Sequence, residues 1–191
     1  GSALTSGGLA ASAFVATHIA AASAALTWMI LSSVYRRPSA LGAATGVVAG
    51  LVAITPAAGF VHPIAGLPIG AIASIACYYS MMLRTRRGVD ESLDVCAVHG
   101  VGGMWGALAT GIFASSTINA AGADGLIFGN VIQFARQVAA VAAVGAFAFS
   151  ATWVLAKIVD ATMGLRVKQD EEVVGLDLAQ HGERAYGGTL P

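Results

Sequence analysis

Asp94-Val-Cys-Ala-Val-His-Gly-Val-Gly-Gly-Met-Trp-Gly-Ala-Leu-Ala-Thr-Gly111 is the run around which the chain is organised. It is long and apolar enough to cross a bilayer, and no charged residue follows Asp94 until Asp124. Yet it carries an ionisable ring, His99. A polar ring inside hydrocarbon costs free energy, so such residues usually face a bundle interior or a pathway. Gly102, Gly106 and Thr110 form one stripe of small residues at helical spacing, and Gly103, Ala107 and Gly111 form a second. Small residues four apart let another helix backbone approach closely, which is how helices pack where water supplies no drive. The helix is therefore expected to be clamped on one side and to present an imidazole on another. Val95, four residues before His99, shares its face and is paired with it as a pathway lining.

The rest of the composition agrees with a membrane protein. Of 191 residues, 57% are hydrophobic and 10% charged, with a mean hydropathy of +0.76, which is not the composition of a soluble domain. The formal net charge is zero, which argues against nucleic acid as a partner. Cys77 and Cys96 both fall in apolar runs and read as small core residues, not as a disulfide or metal site. The chain starts at Gly1-Ser2-Ala3 with no methionine and no visible signal peptide. It is read as a fragment of a longer membrane protein, or as one with an altered start.

Five spans are expected. The first runs from about Leu9 to Val34 and ends at Arg36-Arg37-Pro38. Ser39 is placed to cap the second, about Ala40 to Ala53 with a possible extension to Phe60, in which Gly42, Gly46 and Gly50 again lie four apart. The third covers about Ile64 to Leu83, the fourth is the central run, and the fifth covers about Gln137 to Ala156. Arg36 and Arg37, then Arg84, Arg86 and Arg87, then Lys157, Arg166 and Lys168 follow alternate spans, while the intervening loops hold no Lys or Arg. The positive-inside bias puts the N-terminus outside and the polar tail, from Gly164 onward, in the cytoplasm.

From chemistry alone, two roles for His99 stand about even, tilted toward function: a pathway lining, or a structural histidine bonded to a neighbouring helix. A neutral imidazole donates at one nitrogen and accepts at the other, and an ordinary one titrates at about pH 6.5. A path with few polar groups suits a small, nearly neutral solute. Metal or nucleophile chemistry would require several ligating or acidic groups on neighbouring spans, and only His18 and His99 lie inside spans. No catalytic residue, metal site or cofactor is expected. His18, on an Ala-rich helix, reads as a packing residue, and His62 as a solvated turn residue.

Several motifs carry a resemblance to a known family. Ala13-Phe-Val-Ala-Thr-His18, Gly50-Leu-Val-Ala-Ile-Thr-Pro-Ala-Ala-Gly59, Ser92-Leu-Asp-Val-Cys-Ala-Val-His-Gly-Val-Gly-Gly103 and Gly175-Leu-Asp-x-x-x-His-Gly-Glu-x-Ala-Tyr186 resemble segments of the ammonium transporters of the Amt/Mep/Rh superfamily, in its Amt branch. The resemblance covers essentially the whole chain. It implies an all-α membrane fold of eleven helices, built as two five-helix inverted repeats and a last long helix. This chain would hold the second half, helices seven to eleven, in residues 1–163, and a cytoplasmic regulatory tail in residues 164–191.

The same resemblance implies residue roles. His99 would be the second of two paired pore histidines, with Val95 and Asp94 beside it toward the inner side. Ser2 would be the serine of an outer ammonium-recruitment site. Gly175, Asp177, His181, Gly182 and Tyr186 would belong to the regulatory tail. The implied activity is ammonium/ammonia transport across the cell (inner) membrane by a homotrimer that docks a PII-type signal protein, with the lipid bilayer as its surroundings. The alternative is an ammonium sensor module coupled to signalling through its tail. Cys96 stands where the family usually has Phe, Ala16 where it often has Asn, and Ala179 where plant members carry a phosphorylatable Thr.

Overall fold

The computed structural model describes residues 3–35, 37–91 and 93–185. Ser2 and Tyr186, both expected to be functional, lie outside the described residues. The described residues form seven α-helices and no strand beyond one isolated bridge between Val61 and Ala114. The helices are α1 (Gly8–Tyr35), α2 (Ala40–Ile54), α3 (Gly66–Arg86), α4 (Val101–Phe113), α5 (Val131–Thr162), α6 (Gln169–Val174) and α7 (Leu176–Ala179). The chain divides into two compact units, Gly1–Ala143 and Val144–Pro191.

In the first unit, α1 buries Ala13, Ala16, Ala20, Ala24, Trp28 and Ser32, one residue on nearly every turn of a single face. That stripe of alanines lets two other helices come down to backbone distance. A side chain at Gly50 of α2 would meet the carbonyl oxygen of Ala20 at 2.5 Å, and one at Gly70 of α3 would collide with the same carbonyl. Ala20 is thus the point where α1, α2 and α3 meet main chain to main chain. Lower on α1, Trp28 fills the space left by Gly42 and Gly46 and meets Tyr78 of α3 edge-on at 5.1 Å. Ser39 caps α2 as expected, its hydroxyl accepting from the Gly42 amide at 3.0 Å.

Helix α4 is clamped in the same way. Gly106 lies against the Ala53 carbonyl of α2 with no room for a methyl group, and the Trp105 indole donates to the Ile69 carbonyl of α3 at 3.0 Å. Its lower end is not α-helical. Cys96–Gly100 winds as one π turn that runs into α4. The expected uniform helix from Asp94 onward is corrected on this point.

Among the described residues, four helical segments are long and apolar enough to span a membrane: Gly8–Tyr35, Pro63–Arg86, Cys96–Phe113 and Val131–Thr162. The second span ends about where expected, at Ile54, without the possible extension to Phe60. Helix α2 has 15 residues, about 22 Å of rise against a hydrocarbon core of about 30 Å. It stops because Pro56 brings no amide to the ladder and the chain turns through Thr55–Phe60. That turn is bonded to the segment after α4: the Ser115 amide donates to the Phe60 carbonyl at 2.8 Å and the Asn119 side-chain amide to the Gly59 carbonyl at 3.1 Å. Helix α5 is longer than expected, at 32 residues, because it starts at Val131, within the lead-in, and runs on past Lys157 to Thr162; the Asn130 side chain caps it at the Gln133 amide, 3.0 Å away.

In the second unit, the lower part of α5 is followed by α6 and α7. A positive φ at Gly164 (79°) and at Gly175 (100°) makes the breaks between these helices, a conformation glycine adopts without a Cβ clash.

The contrast between Gly106 and Gly102 gives a test. A methyl at Gly106 would overlap the Ala53 backbone, which cannot withdraw, whereas one at Gly102 would meet the Cys77 sulfur at 3.3 Å, Val52 at 3.5 Å and the Ala49 carbonyl oxygen at 3.8 Å, none closer than a small shift relieves. In the detergent-solubilised full-length protein, Gly106→Ala is expected to cost about 1–3 kcal/mol or more and visibly lower the thermal midpoint. Gly102→Ala is expected to shift it much less.

Candidate functional site

Helices α2 and α4 bound a groove of about 560 Å³. Val48, Leu51, Val52, Thr55 and Pro56 line it from the α2 side, and His99, Gly103 and Ala107 from the α4 side. The register follows from helical spacing: His99, Gly103 and Ala107 are four apart, so one face of the π turn and α4 looks into the groove. The Gly102, Gly106 and Thr110 face is buried against the neighbouring helices. The two small-residue stripes therefore do different things. The first packs, as expected. The second does not pack along its length: Gly103 meets only Val52, at 3.9 Å, while Gly111 sits against Phe134 and Gln137 of α5.

His99 is exposed to this groove and has no hydrogen-bond partner among the described residues. The other polar side chain of the lining, Thr55, turns its hydroxyl back to the Leu51 carbonyl at 2.6 Å. Among the described residues, the imidazole is therefore the one polar side chain of the lining left without a partner. With one donor and one acceptor nitrogen, it can hydrogen-bond a small polar solute in either sense and exchange a proton with it.

Asp94 stands at the foot of α4 with φ 53°, in the left-handed region that Asp tolerates better than most residues. Its carboxylate accepts from the Arg84 guanidinium at 2.6 Å. Val95, between Asp94 and the π turn, is half-exposed and is not part of the groove lining. Closing the turn between residues five apart shifts the face that a spacing of four would share. Cys77 is buried as expected, its thiol 3.7 Å from the Val98 carbonyl. Cys96 is exposed, contrary to its reading as a core residue.

His18 lines a different groove of about 530 Å³, formed with Ala3–Ser6, Ala10, Ala13, Phe14 and Thr17. Its Nδ1 lies 3.0 Å from the Phe14 carbonyl, and its ring leans on Phe14, centroids 4.1 Å apart and planes tilted by 44°. His62 caps the short turn Pro63–Ala65, its Nδ1 accepting from the Ile64 amide at 3.4 Å. No group of three or more metal-ligating side chains occurs among the described residues.

The α2 half of the groove was not read from the sequence. Thr55 and Pro56 carried a signal, since a Thr-Pro pair ends a helix and leaves its last turn facing the neighbouring element. Val48, Leu51 and Val52 carried none, because an apolar residue in a membrane helix looks the same whether it faces lipid or a groove.

Of the tail residues, Gly175, Asp177, His181 and Gly182 lie in one stretch at and after α7. Gly175 and Gly182 have positive φ (100° and 67°). Between them Asp177 accepts from the Ala185 amide through its carboxylate at 3.1 Å and from the Glu183 amide through its backbone carbonyl at 2.9 Å. His181 follows α7 and is exposed.

The signature of the family described as "Ammonium Transporter Family" matches residues 1–186. This chain belongs to that family. It is 48% identical over 186 residues to the ammonium transporter Amt1 of Archaeoglobus fulgidus, covering 97% of this chain and 47% of that protein. It is 46% identical over 192 residues to the ammonium transporter of Bacillus subtilis, covering all of this chain and 48% of that protein. Among solved structures, Candida albicans Mep2 superposes with a TM-score of 0.80 at 34% identity, covering 90% of this chain and 40% of that one. A sensor Amt protein superposes with a TM-score of 0.82 at 28% identity, covering 93% and 43%. The chain spans about half the length of the curated relatives it matches. Membership and the apolar helices together make it an integral membrane protein.

The Asp177 loop yields a prediction. Amide donors from Ala185, then Leu178, hold its carboxyl below the ordinary carboxylate range. A depressed carboxyl pKa adds stability that is present above the unfolded value and lost as pH falls through the folded one. The loop is therefore expected to be closed at neutral pH and to open only on acidification below the ordinary carboxyl range. At neutral pH, Asp177→Ala should accelerate hydrogen exchange at the Ala185 amide several-fold while leaving α1–α4 unchanged.

Proposed function

We propose that this chain forms one wall of an ammonium/ammonia pathway across the cell (inner) membrane, with His99 as the group that meets the solute. The observation that carries the reading is the unpartnered imidazole in an otherwise apolar groove, in a chain of the ammonium transporter family. The ring is exposed in the groove and has no partner among the described residues, so a solute can hydrogen-bond it without displacing a protein contact. Ammonia fits the lining: it is small, nearly neutral once deprotonated, and able to satisfy either imidazole nitrogen.

In an inverted-repeat transporter the pathway runs between the two halves. The facing wall and the first histidine of the pair belong, on this reading, to a first repeat beyond this chain. Residues 1–163 form the membrane domain, with the N-terminus outside, and residues 164–191 a cytoplasmic regulatory tail. Ser2 would recruit ammonium at the outer mouth, and Asp94 and Val95 would mark the inner one. Gly175, Asp177, His181, Gly182 and Tyr186 would make the tail segment through which a homotrimer couples its subunits and docks a PII-type signal protein. The protein moves its solute without altering it and is no enzyme.

A sensor is the second reading, favoured by the likeness to a sensor Amt protein with a TM-score of 0.82. In a sensor the groove would bind ammonium and shift the tail without sustained flux.

The test is His99→Ala in the full-length protein reconstituted in liposomes. Ammonium-driven flux or current should fall at least tenfold while membrane insertion and oligomeric state are kept. His18→Ala should stay within twofold of the parent. Loss of the oligomer in His99→Ala would instead assign the ring a structural role, and absent flux in the parent with ammonium-dependent tail movement would favour the sensor.

A further inference from the structure

The π turn that carries His99 is held by one residue whose role nothing above explains. Of the basic cluster at the end of α3, Arg86 and Arg87 are exposed, as a membrane-flanking cluster requires. Arg84 is not. Its side chain is 18% exposed and folds back onto the foot of α4. One guanidinium nitrogen donates to Asp94 Oδ1 at 2.6 Å, another to the Val89 carbonyl at 2.9 Å, and Nε lies 3.5 Å from Glu91 Oε2. The other Glu91 oxygen accepts from the amide of Cys96, the first residue of the π turn. A planar fork with several donors suits this multiple engagement, and an ammonium does not.

These contacts pin the start of the segment, while its far end is pinned independently. Gly106 is locked on the Ala53 backbone and cannot slide or rotate. Between two fixed points the chain holds one residue more than α winding accommodates, and the π turn absorbs it. Cys77, two turns before Arg84 on α3, supports the middle of the turn through the Val98 carbonyl. If the lower pin were released, the turn could unwind from its amino end, and the backbone that holds His99 four residues ahead of Gly103 would lose its fixed place beside the groove.

We propose that Arg84 is a positioning residue for His99: by holding Asp94 and Glu91 at the foot of α4 it fixes the π turn and, with it, the place of the imidazole in the groove. The proposal rests on the reading of His99 as the solute-contacting group. Its test reads the ring and the flux separately.

The full-length protein is compared with Arg84→Gln, Arg84→Lys and Asp94→Asn. His99 accessibility is measured as its rate of carbethoxylation by diethyl pyrocarbonate, quantified by mass spectrometry, with His18 as an internal reference. Arg84→Gln and Asp94→Asn are expected to change the His99 rate at least threefold with the His18 rate unchanged, and to lower maximal flux at least tenfold with KM within twofold. Arg84→Lys should recover part of both. Should Arg84→Gln fail to assemble, Asp94→Asn and Arg84→Lys carry the same comparison. An unchanged His99 rate in assembled variants would overturn the proposal whatever the flux. A changed His99 rate with parental flux would uphold the positioning role and instead remove His99 from transport.

Discussion

The architecture depends on helices that touch through their backbones. At Ala20 the carbonyl of α1 receives Gly50 of α2 on one side and Gly70 of α3 on the other, and at Ala53 the carbonyl of α2 receives Gly106 of α4. In hydrocarbon no water is released by bringing helices together, so dispersion across close main-chain contacts must hold the bundle. Such contacts have little tolerance. Each forbids even a methyl group, which fixes the rotation as well as the distance of the helices involved. The groove follows from that geometry: once α4 is locked to α2 through Gly106, its adjacent face, His99–Gly103–Ala107, has only one direction to look.

Much of this was legible in the residue pattern, for a physical reason. Small residues four apart are rare by chance in an apolar run and have few uses other than close packing, so Gly102, Gly106 and Thr110 announced their contact. The arginine clusters and Pro38 marked the span ends within a few residues. Ser39 was readable as a cap because its hydroxyl has an obvious use beside a helix start. His99 stood out because an imidazole in hydrocarbon needs a reason to be there.

What was not legible depended on register and on long-range contacts. The π turn at Cys96–Gly100 leaves no mark in the sequence, because the extra residue is forced by anchors on other elements, Arg84 on α3 and Ala53 on α2. A periodicity of four therefore grouped Val95 with His99, and the structure separates them. The second small-residue stripe looked identical to the first, yet Gly103 and Ala107 face open space. The identity of a residue cannot tell whether the space beside it is filled. Arg84 was read as one of three equivalent flanking charges, although its side chain alone turns inward.

The central claim is that two adjacent faces of α4 have opposite roles, one locked and one left open for a solute. Gly103→Leu in the full-length protein, scored for ammonium flux and for oligomeric assembly side by side, tests it most directly. Gly103 has room for a side chain, with Val52 its one neighbour within 4 Å, and leucine would fill the groove beside His99. The account predicts flux reduced at least tenfold in a protein that inserts and assembles as the parent does. Parental flux in that variant, or failure to assemble, would contradict it.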